Sequence, residues 1–387
     1  MEFKTARGRL FFLLMLIAAF PFLQNGLSFY ESGQLKGAVV SAPDVAFMWS
    51  GWWDGTYQKA KNLYLNDNTS CRPDLVRLNN QVDYGLFGKL HANGVVMGKD
   101  DYLYEESYID EYYGFDFMGE EVIRDEARKI KKIQDTLERM GKTFVFMYAP
   151  SKAWYFPDDF PAGMKKKEGM HPTNYETYKR LGDSMGVHQV DFNGWFMAMK
   201  DTSKNLLFSR LGTHWTVYGS LLACDSMIKY VEKVRKIQMP GLQWHETDYS
   251  DIPQRTDNDL AAGLNLITHF KKERFSYPKY FYNYDGNKEK PRGIYIGDSF
   301  LWTWVNNGLM KSVNTDWQVW YYFNEEWNES TFSGLEPMRY LENFKWQDEL
   351  LKTDCVVALY TPANFKGFNF DGSFIEKMYQ YFYPVKK

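Results

Sequence analysis

The chain has 387 residues, 25% of them charged, and its 46 Lys and Arg residues nearly balance 49 Asp and Glu residues, for a net charge of -3. This composition excludes a disordered tail, a disulfide-stapled miniprotein and a polytopic membrane protein. It also argues against nucleic acid as a partner, because phosphate binding needs a basic surface. No metal or cofactor site is expected, since Cys71, Cys224 and Cys355 lie far apart, the six histidines are not clustered, and no glycine-rich phosphate loop occurs.

The N-terminus has the composition of a membrane-targeting segment. Basic residues within the first nine positions precede an apolar run from Leu10 to Leu23, and this order sends the rest of the chain across the membrane. The run has the length of a signal peptide, but its continuation to Tyr30 could complete a spanning helix of about 20 residues. We therefore expect residues 1–30 to be a signal anchor or a signal peptide, and residues 31–387 to form a domain outside the cytoplasm.

Helical and strand patterns alternate along the rest of the chain. Helical spacing of apolar residues predicts helices at 125–140, 175–185 and 218–230. Short apolar runs predict buried strands at 142–148, 189–192, 293–296 and 355–360, with 318–323 as a further candidate strand. This alternation favours an α/β fold with a mainly parallel sheet and helices on both faces.

Ser299 is the first candidate catalytic residue. The sequence Gly-Asp-Ser at 297–299 ends a predicted strand and precedes an apolar, helix-compatible segment from Leu301. A serine at such a junction projects its hydroxyl from the carboxyl edge of the sheet, where helix N–H groups can stabilise an oxyanion. The alternative is that Asp298 or Ser299 caps the helix, because both residue types are favoured N-caps.

His214 is the second candidate. It lies in the segment 212–216 (GTHWT), just before the helix predicted at 218–230, with Thr216 as a plausible cap. A histidine held at such a boundary can act as a general base, because its ordinary pKa of about 6.5 is close to working pH. The alternative is a structural histidine that is hydrogen-bonded within the loop.

The two segments together carry a family resemblance. The chain resembles the alginate O-acetyltransferase-related, AlgX/AlgJ-like SGNH-hydrolase-like family, in which an Asp-x-His-Trp motif precedes a Gly-x-Ser motif. Residues 213–215 (THW) match the first motif and residues 297–299 (GDS) match the second. Residues 95–104 and 149–152 (APSK) are also similar to family segments. The resemblance covers roughly residues 50–370.

This resemblance implies a fold, an activity and a partner. The fold would be an SGNH-hydrolase-like, flavodoxin-like parallel sheet flanked by helices, formed by residues 31–387 in the periplasm. The activity would be O-acetylation of an extracytoplasmic polysaccharide, with Ser299 as nucleophile and His214 as base. A membrane-bound O-acyltransferase would supply the acetyl donor. A carbohydrate acetylesterase and a non-catalytic polysaccharide-binding or scaffold subunit are the alternatives.

One position departs from the family pattern, because Gly212 stands where the first motif has its Asp. A triad acid holds the imidazole in the useful tautomer, and its neutral replacement costs about 10⁴-fold in turnover in a known triad. Asp257 and Asp259 are the candidate replacements. Alternatively, both are solvated residues at the start of the next helix.

These assignments predict a geometry. Ser299 Oγ should lie within hydrogen-bonding distance of one ring nitrogen of His214, and the other nitrogen should face Asp257, Asp259 or a backbone carbonyl. Asp298 should make structural hydrogen bonds, because a residue adjacent to the nucleophile points away from it. The aromatic segments 302–304 and 317–323 would either stack on sugars beside Ser299 or belong to the core.

Overall fold

The structure is a computed structural model that describes residues 5–37, 41–164, 171–268, 270–369 and 373–384. His269 and the first four residues of the predicted targeting segment lie outside the described residues. The helices are α1 (Ala6–Leu27), α2 (Trp49–Asp54), α3 (Thr56–Asn68), α4 (Arg72–Phe87), α5 (Glu106–Tyr113), α6 (Glu120–Arg139), α7 (Lys152–Tyr155), α8 (Asn174–Met185), α9 (Phe192–Met199), α10 (Val217–Arg235), α11 (Asp259–Gly263), α12 (Leu301–Asn306), α13 (Leu309–Val313), α14 (Glu329–Phe332), α15 (Trp346–Lys352) and α16 (Phe374–Phe382). The strands are β1 (Val95–Met97), β2 (Leu103–Glu105), β3 (Thr143–Tyr148), β4 (Gln189–Asp191), β5 (Gly241–Ser250), β6 (Phe275–Asn283), β7 (Gly293–Gly297), β8 (Trp317–Tyr321), β9 (Glu325–Trp327), β10 (Arg339–Tyr340) and β11 (Cys355–Tyr360).

The chain divides into two compact units, Met1–Asn93 with Ala261–Phe270, and Gly94–Leu260 with Lys271–Lys387. The first unit contains α1, which is long and apolar enough to cross a membrane by its length and composition. A signal sequence meets the same criterion. The domain boundary expected near residue 30 therefore stays a prediction.

A mixed sheet forms the centre of the second unit. Within the described residues it has seven strands, in the order β10-β9-β8-β7-β11-β3-β4. The five strands from β8 to β4 are parallel, whereas β9 and β10 add an antiparallel edge to the predicted parallel sheet. Every residue of β3 and β11 is buried, as expected for parallel strands that are covered on both faces.

The two sheet faces pack under different helices. Side chains alternate between the faces along a strand, so Val145 and Met147 of β3 join a core cluster with α9, α10 and α12. Phe144 and Phe146 join the opposite cluster, which includes residues of α6, α8 and α16. The prediction of helices on both faces is therefore confirmed.

The predicted elements agree closely with the observed ones. The helices expected at 125–140, 175–185 and 218–230 are α6, α8 and α10, and the strands expected at 142–148, 189–192, 293–296, 355–360 and 318–323 are β3, β4, β7, β11 and β8. The antiparallel pair β5–β6 and the helices α2–α4 were not predicted. Since β7, β11, β3 and β4 are parallel, the loops that follow them share the carboxyl edge of the sheet, where ligands bind in open α/β folds.

Candidate active site

Ser299 lies in the tight turn between β7 and α12, at the carboxyl edge of the sheet. The turn is held by Asp298, whose side chain is fully buried. Asp298 Oδ2 accepts hydrogen bonds from Thr361 N at 2.7 Å, Thr361 Oγ1 at 2.8 Å and Asn364 Nδ2 at 2.8 Å, and Oδ1 accepts one from Phe300 N at 3.1 Å. These bonds tie the turn to the loop after β11, so Asp298 has the structural role expected for it.

His214 lies in the loop that leads into α10. Thr216 caps α10, since its hydroxyl accepts a hydrogen bond from a backbone N–H of the first turn at 3.1 Å. The adjacent residue Trp215 is fully buried, and its indole N–H donates to Thr303 Oγ1 of α12 at 2.5 Å. Its rings also stack on Trp304, with centroids 5.5 Å apart. The loop that carries His214 is therefore fastened to the helix that follows Ser299.

A continuous hydrogen-bonded relay joins Asp259, His214 and Ser299. His214 Nε2 lies 2.7 Å from Ser299 Oγ, and His214 Nδ1 lies 2.5 Å from Asp259 Oδ2. The other oxygen, Asp259 Oδ1, accepts hydrogen bonds from Thr213 N at 2.8 Å and from Leu260 N at 2.9 Å. With the carboxylate at Nδ1, the ring proton belongs there, and the Nε2 lone pair can accept a proton from the hydroxyl. The expected contact between Ser299 and His214 is confirmed.

Asp257 has a different place. Its Oδ1 accepts a hydrogen bond from Val217 N at the start of α10 at 3.1 Å, and its Oδ2 accepts one from Tyr277 Oη at 2.7 Å. Burial raises the pKa of Asp257 to about 6. Of the two acids predicted as partners of His214, the structure thus brings Asp259 to the ring and holds Asp257 at the start of α10.

The backbone around Gly212 explains why the family's Asp is missing there. A Cβ added at Gly212 would lie 2.8 Å from the carbonyl oxygen of Thr256, 2.9 Å from that of Asp257 and 3.0 Å from Asp259 Oδ1. The segment 256–259 therefore fills the space into which a side chain at 212 would project. The carboxylate that faces His214 comes from that segment instead.

The substitution Gly212→Ala is expected to damage both stability and the relay. The added methyl group would force the carbonyls of Thr256 and Asp257 to shift, since both lie under 3.0 Å from its position. We expect a loss of about 1–3 kcal/mol in the free energy of unfolding and a weaker contact between Asp259 and His214. Gly241→Ala is the matched control, because a Cβ at Gly241 meets nothing within 4 Å. Equal denaturant midpoints for the two variants would contradict this account.

Charges around His214 favour its protonated form. Only 8% of the residue is exposed, and burial alone would lower its pKa, but the charge and hydrogen bond of Asp259 outweigh burial and raise it. The carboxylates of Asp298 and Glu105 act in the same direction. Burial in turn raises the pKa of Glu105, whose carboxylate is hydrogen-bonded by the Thr213 side chain.

Two polar groups near the relay are not singled out by the sequence. Glu105 ends β2, and its only signal is a charge directly after the short run Leu103–Tyr104. Thr303 is a lone hydroxyl within the apolar helix α12, and its role depends on a long-range bond from Trp215. Neither residue belongs to a motif.

The aromatic segments predicted as core or sugar platform belong in part to the core, and the sugar platform stays a prediction. Trp304, Trp317 and Trp320 are buried and belong to the core. Trp302 is half-buried and lies 5.3 Å from both Tyr321 and Trp327, measured between ring centroids. In addition, a groove of about 620 Å³ lies along residues 200–210, which lead into the His214 loop. Its lining combines aromatic, basic and acidic side chains, namely Tyr102, Tyr155, Phe156, Tyr249, Lys200, Lys204, Arg210, Lys272, Arg274, Asp201 and Glu273.

A comparison with known families identifies the family of the chain. Residues 95–290 match the family described as "SGNH hydrolase-like domain, acetyltransferase AlgX". The chain belongs to this family. The matched part includes His214 and Asp259 and ends before Ser299. Membership of the AlgX family confirms the SGNH-hydrolase-like fold predicted from the sequence.

Relatives of known name match part of the chain. The probable alginate O-acetylase AlgJ of Pseudomonas syringae pv. tomato is 26% identical over 174 residues, which are 45% of this chain and 42% of that protein. The protein of the same name from Azotobacter vinelandii is 26% identical over 160 residues, 41% of this chain and 39% of its own length. The chain thus matches less than half of the length of these relatives. The solved O-acetyltransferase domain of Pseudomonas putida AlgJ is similar with a TM-score of 0.46 and 16% identity, over 74% of this chain and 99% of that one.

Proposed function

We propose that this protein is an O-acetyltransferase that acts on an extracytoplasmic polysaccharide through an acetyl group on Ser299. His214 would be the general base and Asp259 the acid of the triad. The observation that carries the proposal is the unbroken relay, with 2.5 Å between Asp259 and His214 and 2.7 Å between His214 and Ser299. Membership of the AlgX family and the relatives named alginate O-acetylase support the acetyl group and the polysaccharide acceptor.

In the first half of the reaction, Ser299 Oγ attacks the carbonyl carbon of an acetyl donor while His214 Nε2 takes the hydroxyl proton. Asp259 stabilises the imidazolium that forms. The backbone N–H of Ser299 donates to no acceptor among the described residues, so it is free to donate to the developing oxyanion. The imidazolium then returns its proton to the leaving group, and acetyl-Ser299 remains.

The second half repeats these steps with a sugar hydroxyl in place of Ser299. His214 Nε2 takes the proton of the hydroxyl, whose oxygen attacks acetyl-Ser299, and the Ser299 oxygen leaves with that proton. The products are an acetylated sugar and the free enzyme. Water in place of the sugar would give an acetylesterase by the same steps, and exclusion of water separates the two activities.

The donor and the location belong to the same proposal. A membrane-bound O-acyltransferase would deliver the acetyl group on the periplasmic side, and α1 would either anchor the chain there or direct its export. The apolar length of α1 supports this location. The groove along residues 200–210 has aromatic faces next to polar groups, a lining that suits a sugar, and none of the three relay residues lines it.

Gly212 is the feature that favours a non-catalytic binding or scaffold subunit, because it leaves the first motif without its acid. The position of Asp259 removes that support, since a carboxylate faces His214 Nδ1 without an acid at 212. Acyl chemistry is therefore the function that the geometry supports best.

The proposal is tested by trapping the intermediate. The protein is incubated with a small acetyl ester and quenched, and mass spectrometry locates the acetyl group, which is expected on the peptide that contains Ser299. Ser299→Ala serves as the control and should stay unmodified. A panel of oligosaccharides is then added, and discharge faster than in buffer, with acetylated sugar as product, identifies a transferase. Folded protein that never acquires the acetyl group would refute the proposal.

The pH profile provides a further expected result. Since Asp259 raises the pKa of His214 despite its burial, the acid limb of kcat/KM should have its midpoint above the ordinary imidazole value of about 6.5. As the pH falls through that midpoint, the imidazole becomes protonated and can no longer accept the Ser299 proton. The measurement is kcat/KM for a small acetyl ester across the pH range. A midpoint below the ordinary value would contradict the assigned contact.

A further inference from the structure

Lys152, the first residue of α7, carries a charge into the interior beside the relay. Only 1% of the residue is exposed. Its ammonium donates to the backbone carbonyl oxygens of Leu103 at 2.6 Å, Arg210 at 2.6 Å and Gly212 at 2.8 Å. An ammonium group has three N–H donors, so all of them are used on the main chain.

This charge is held without an ion-pair partner. Among the described residues, no carboxylate lies within 4.0 Å of the Lys152 ammonium. Burial lowers the pKa of Lys152 to about 7, while the charges of Asp259 and Glu273 act in the opposite direction. The other titratable groups that face it are Tyr104 and Tyr102, with ring centroids 5.2 and 5.9 Å away. Because burying such a charge is costly, the three carbonyl contacts are what stabilise the charged form of Lys152 at this position.

The Gly212 carbonyl connects Lys152 to the relay. It belongs to the same peptide unit as Thr213 N, and that N–H donates to Asp259 Oδ1 at 2.8 Å. A peptide unit is planar, with its C=O and N–H pointing in opposite directions. The planar Gly212–Thr213 peptide unit is therefore hydrogen-bonded to the Lys152 ammonium on one side and to the Asp259 carboxylate on the other. Hydrogen bonds in such a chain polarise and strengthen one another.

The other two carbonyls lie in the segments that border the site. Leu103 is in β2, two residues before Glu105, and Arg210 is in the loop that continues to His214. The two segments are also bonded directly, since Leu103 N donates to the Arg210 carbonyl at 2.8 Å. The ammonium thus joins β2 and the His214 loop at one point.

We propose that Lys152 is a positioning residue for the acyl transfer proposed above: its ammonium fixes the Gly212–Thr213 peptide plane, and this plane holds Asp259 in place against His214. The role rests on the proposed function for its catalytic consequence. Its structural part concerns the orientation of Asp259 and needs no substrate. Lys152 touches neither the hydroxyl nor the ring, so it acts through the peptide.

The test compares Lys152→Met with Lys142→Met. Lys142 is the matched control because its ammonium also donates to backbone carbonyls, those of Leu351 at 2.7 Å and Thr353 at 2.6 Å, at the opposite end of β3. The readouts are the His214 pKa, followed by NMR of the ring in the full-length protein, and kcat and KM for a small acetyl ester. Thermal unfolding of each variant gives the loss of stability that both substitutions share.

In Lys152→Met we expect the His214 pKa to fall towards the ordinary imidazole value, because Asp259 no longer keeps its contact with Nδ1. Misplacement of a reacting group by about 1 Å costs about 10²-fold, so kcat should fall by about that factor while KM changes little. Lys142→Met should leave the His214 pKa and kcat unchanged. If the His214 pKa stays at its wild-type value in folded Lys152→Met, the proposal is overturned.

A second variant and an NMR measurement of the wild-type protein test the proposal further. Lys152→Gln retains two N–H donors without the charge, and a His214 pKa between those of the wild type and Lys152→Met is expected. If neither variant folds, NMR of the wild-type protein decides, because the Thr213 amide, which shares the Gly212 peptide plane, should shift as the Lys152 amine titrates, and a Thr213 amide that does not respond overturns the proposal. The pKa readout needs no turnover. A protein that forms no acetyl adduct would refute the proposed function and leave this result standing.

Discussion

Loss of the Ser299 hydroxyl is expected to abolish turnover of a small acetyl ester. In the relay, Ser299 Oγ and His214 Nε2 share one hydrogen bond of 2.7 Å, so removing either partner removes the same activated nucleophile. By analogy with a serine protease in which nucleophile and base act as a unit, Ser299→Ala and His214→Ala should each lower kcat by about 10⁶-fold. The double variant should be no worse than either single one. The measurement is kcat from initial rates at saturating ester.

His91→Ala is the matched control for the histidine. His91 Nε2 lies 2.5 Å from Asp83 Oδ2, so the pair has the same chemistry as His214 and Asp259. It lacks a serine hydroxyl at the other ring nitrogen among the described residues. Its removal should leave kcat unchanged. Turnover by Ser299→Ala at the wild-type rate would show that the hydroxyl is not the nucleophile.

Local sequence marks Ser299 and His214 as candidates, and the family resemblance that the two segments carry together predicts their catalytic roles. A buried strand followed by Gly-Asp-Ser and an apolar helix specifies the turn at 297–299. A hydroxyl cap two residues after the histidine specifies the start of α10. Local patterns place these side chains at the ends of elements, and the contacts of Trp215 with Thr303 and Trp304 hold the two ends together.

The choice between Asp257 and Asp259 could not be made from the sequence. The two acids are two residues apart and lie in a segment without helical or strand spacing. Contacts from distant elements separate them, since Tyr277 of β6 and the first N–H of α10 bind Asp257. Asp259 is left to face the ring. Likewise, Gly212 indicates a missing acid only until the segment 256–259 is seen to occupy its space.

Three strands that were not predicted, β5, β9 and β10, share a physical cause. β3 and β11 are continuous apolar runs, buried along their whole length, and such runs are visible in a sequence. β5 is exposed or half-buried at all but one of its ten residues, and β9 and β10, the last two strands at one end of the sheet, are short and contain charged residues. Pairing with a neighbour, rather than burial of one face, makes these segments strands. No pattern of apolar residues in the sequence predicts β5, β9 or β10.

The substitution Asp259→Asn is expected to lower kcat by about 10⁴-fold, the loss known for the same change in another triad. The amide oxygen can keep accepting from Thr213 N and Leu260 N, as Oδ1 does now, which turns the amide NH₂ towards His214 Nδ1. Since NH₂ can only donate, Nδ1 must be unprotonated and the ring proton moves to Nε2. Nε2 then has no lone pair to accept the Ser299 proton. The fold should be preserved, so the loss belongs to the chemistry.

Asp257→Asn is the matched control, two residues away and with the same chemical change. Its amide would face Tyr277 Oη or Val217 N, and we expect a loss of about 1 kcal/mol in stability with little change in kcat. The acid limb of the pH profile should also move to lower pH in Asp259→Asn, because the charge that raises the His214 pKa is gone, and stay in place in Asp257→Asn. If both variants lost activity equally, the carboxylate at 2.5 Å from Nδ1 would have no special part in the reaction. The relay would then reduce to Ser299 and His214 alone.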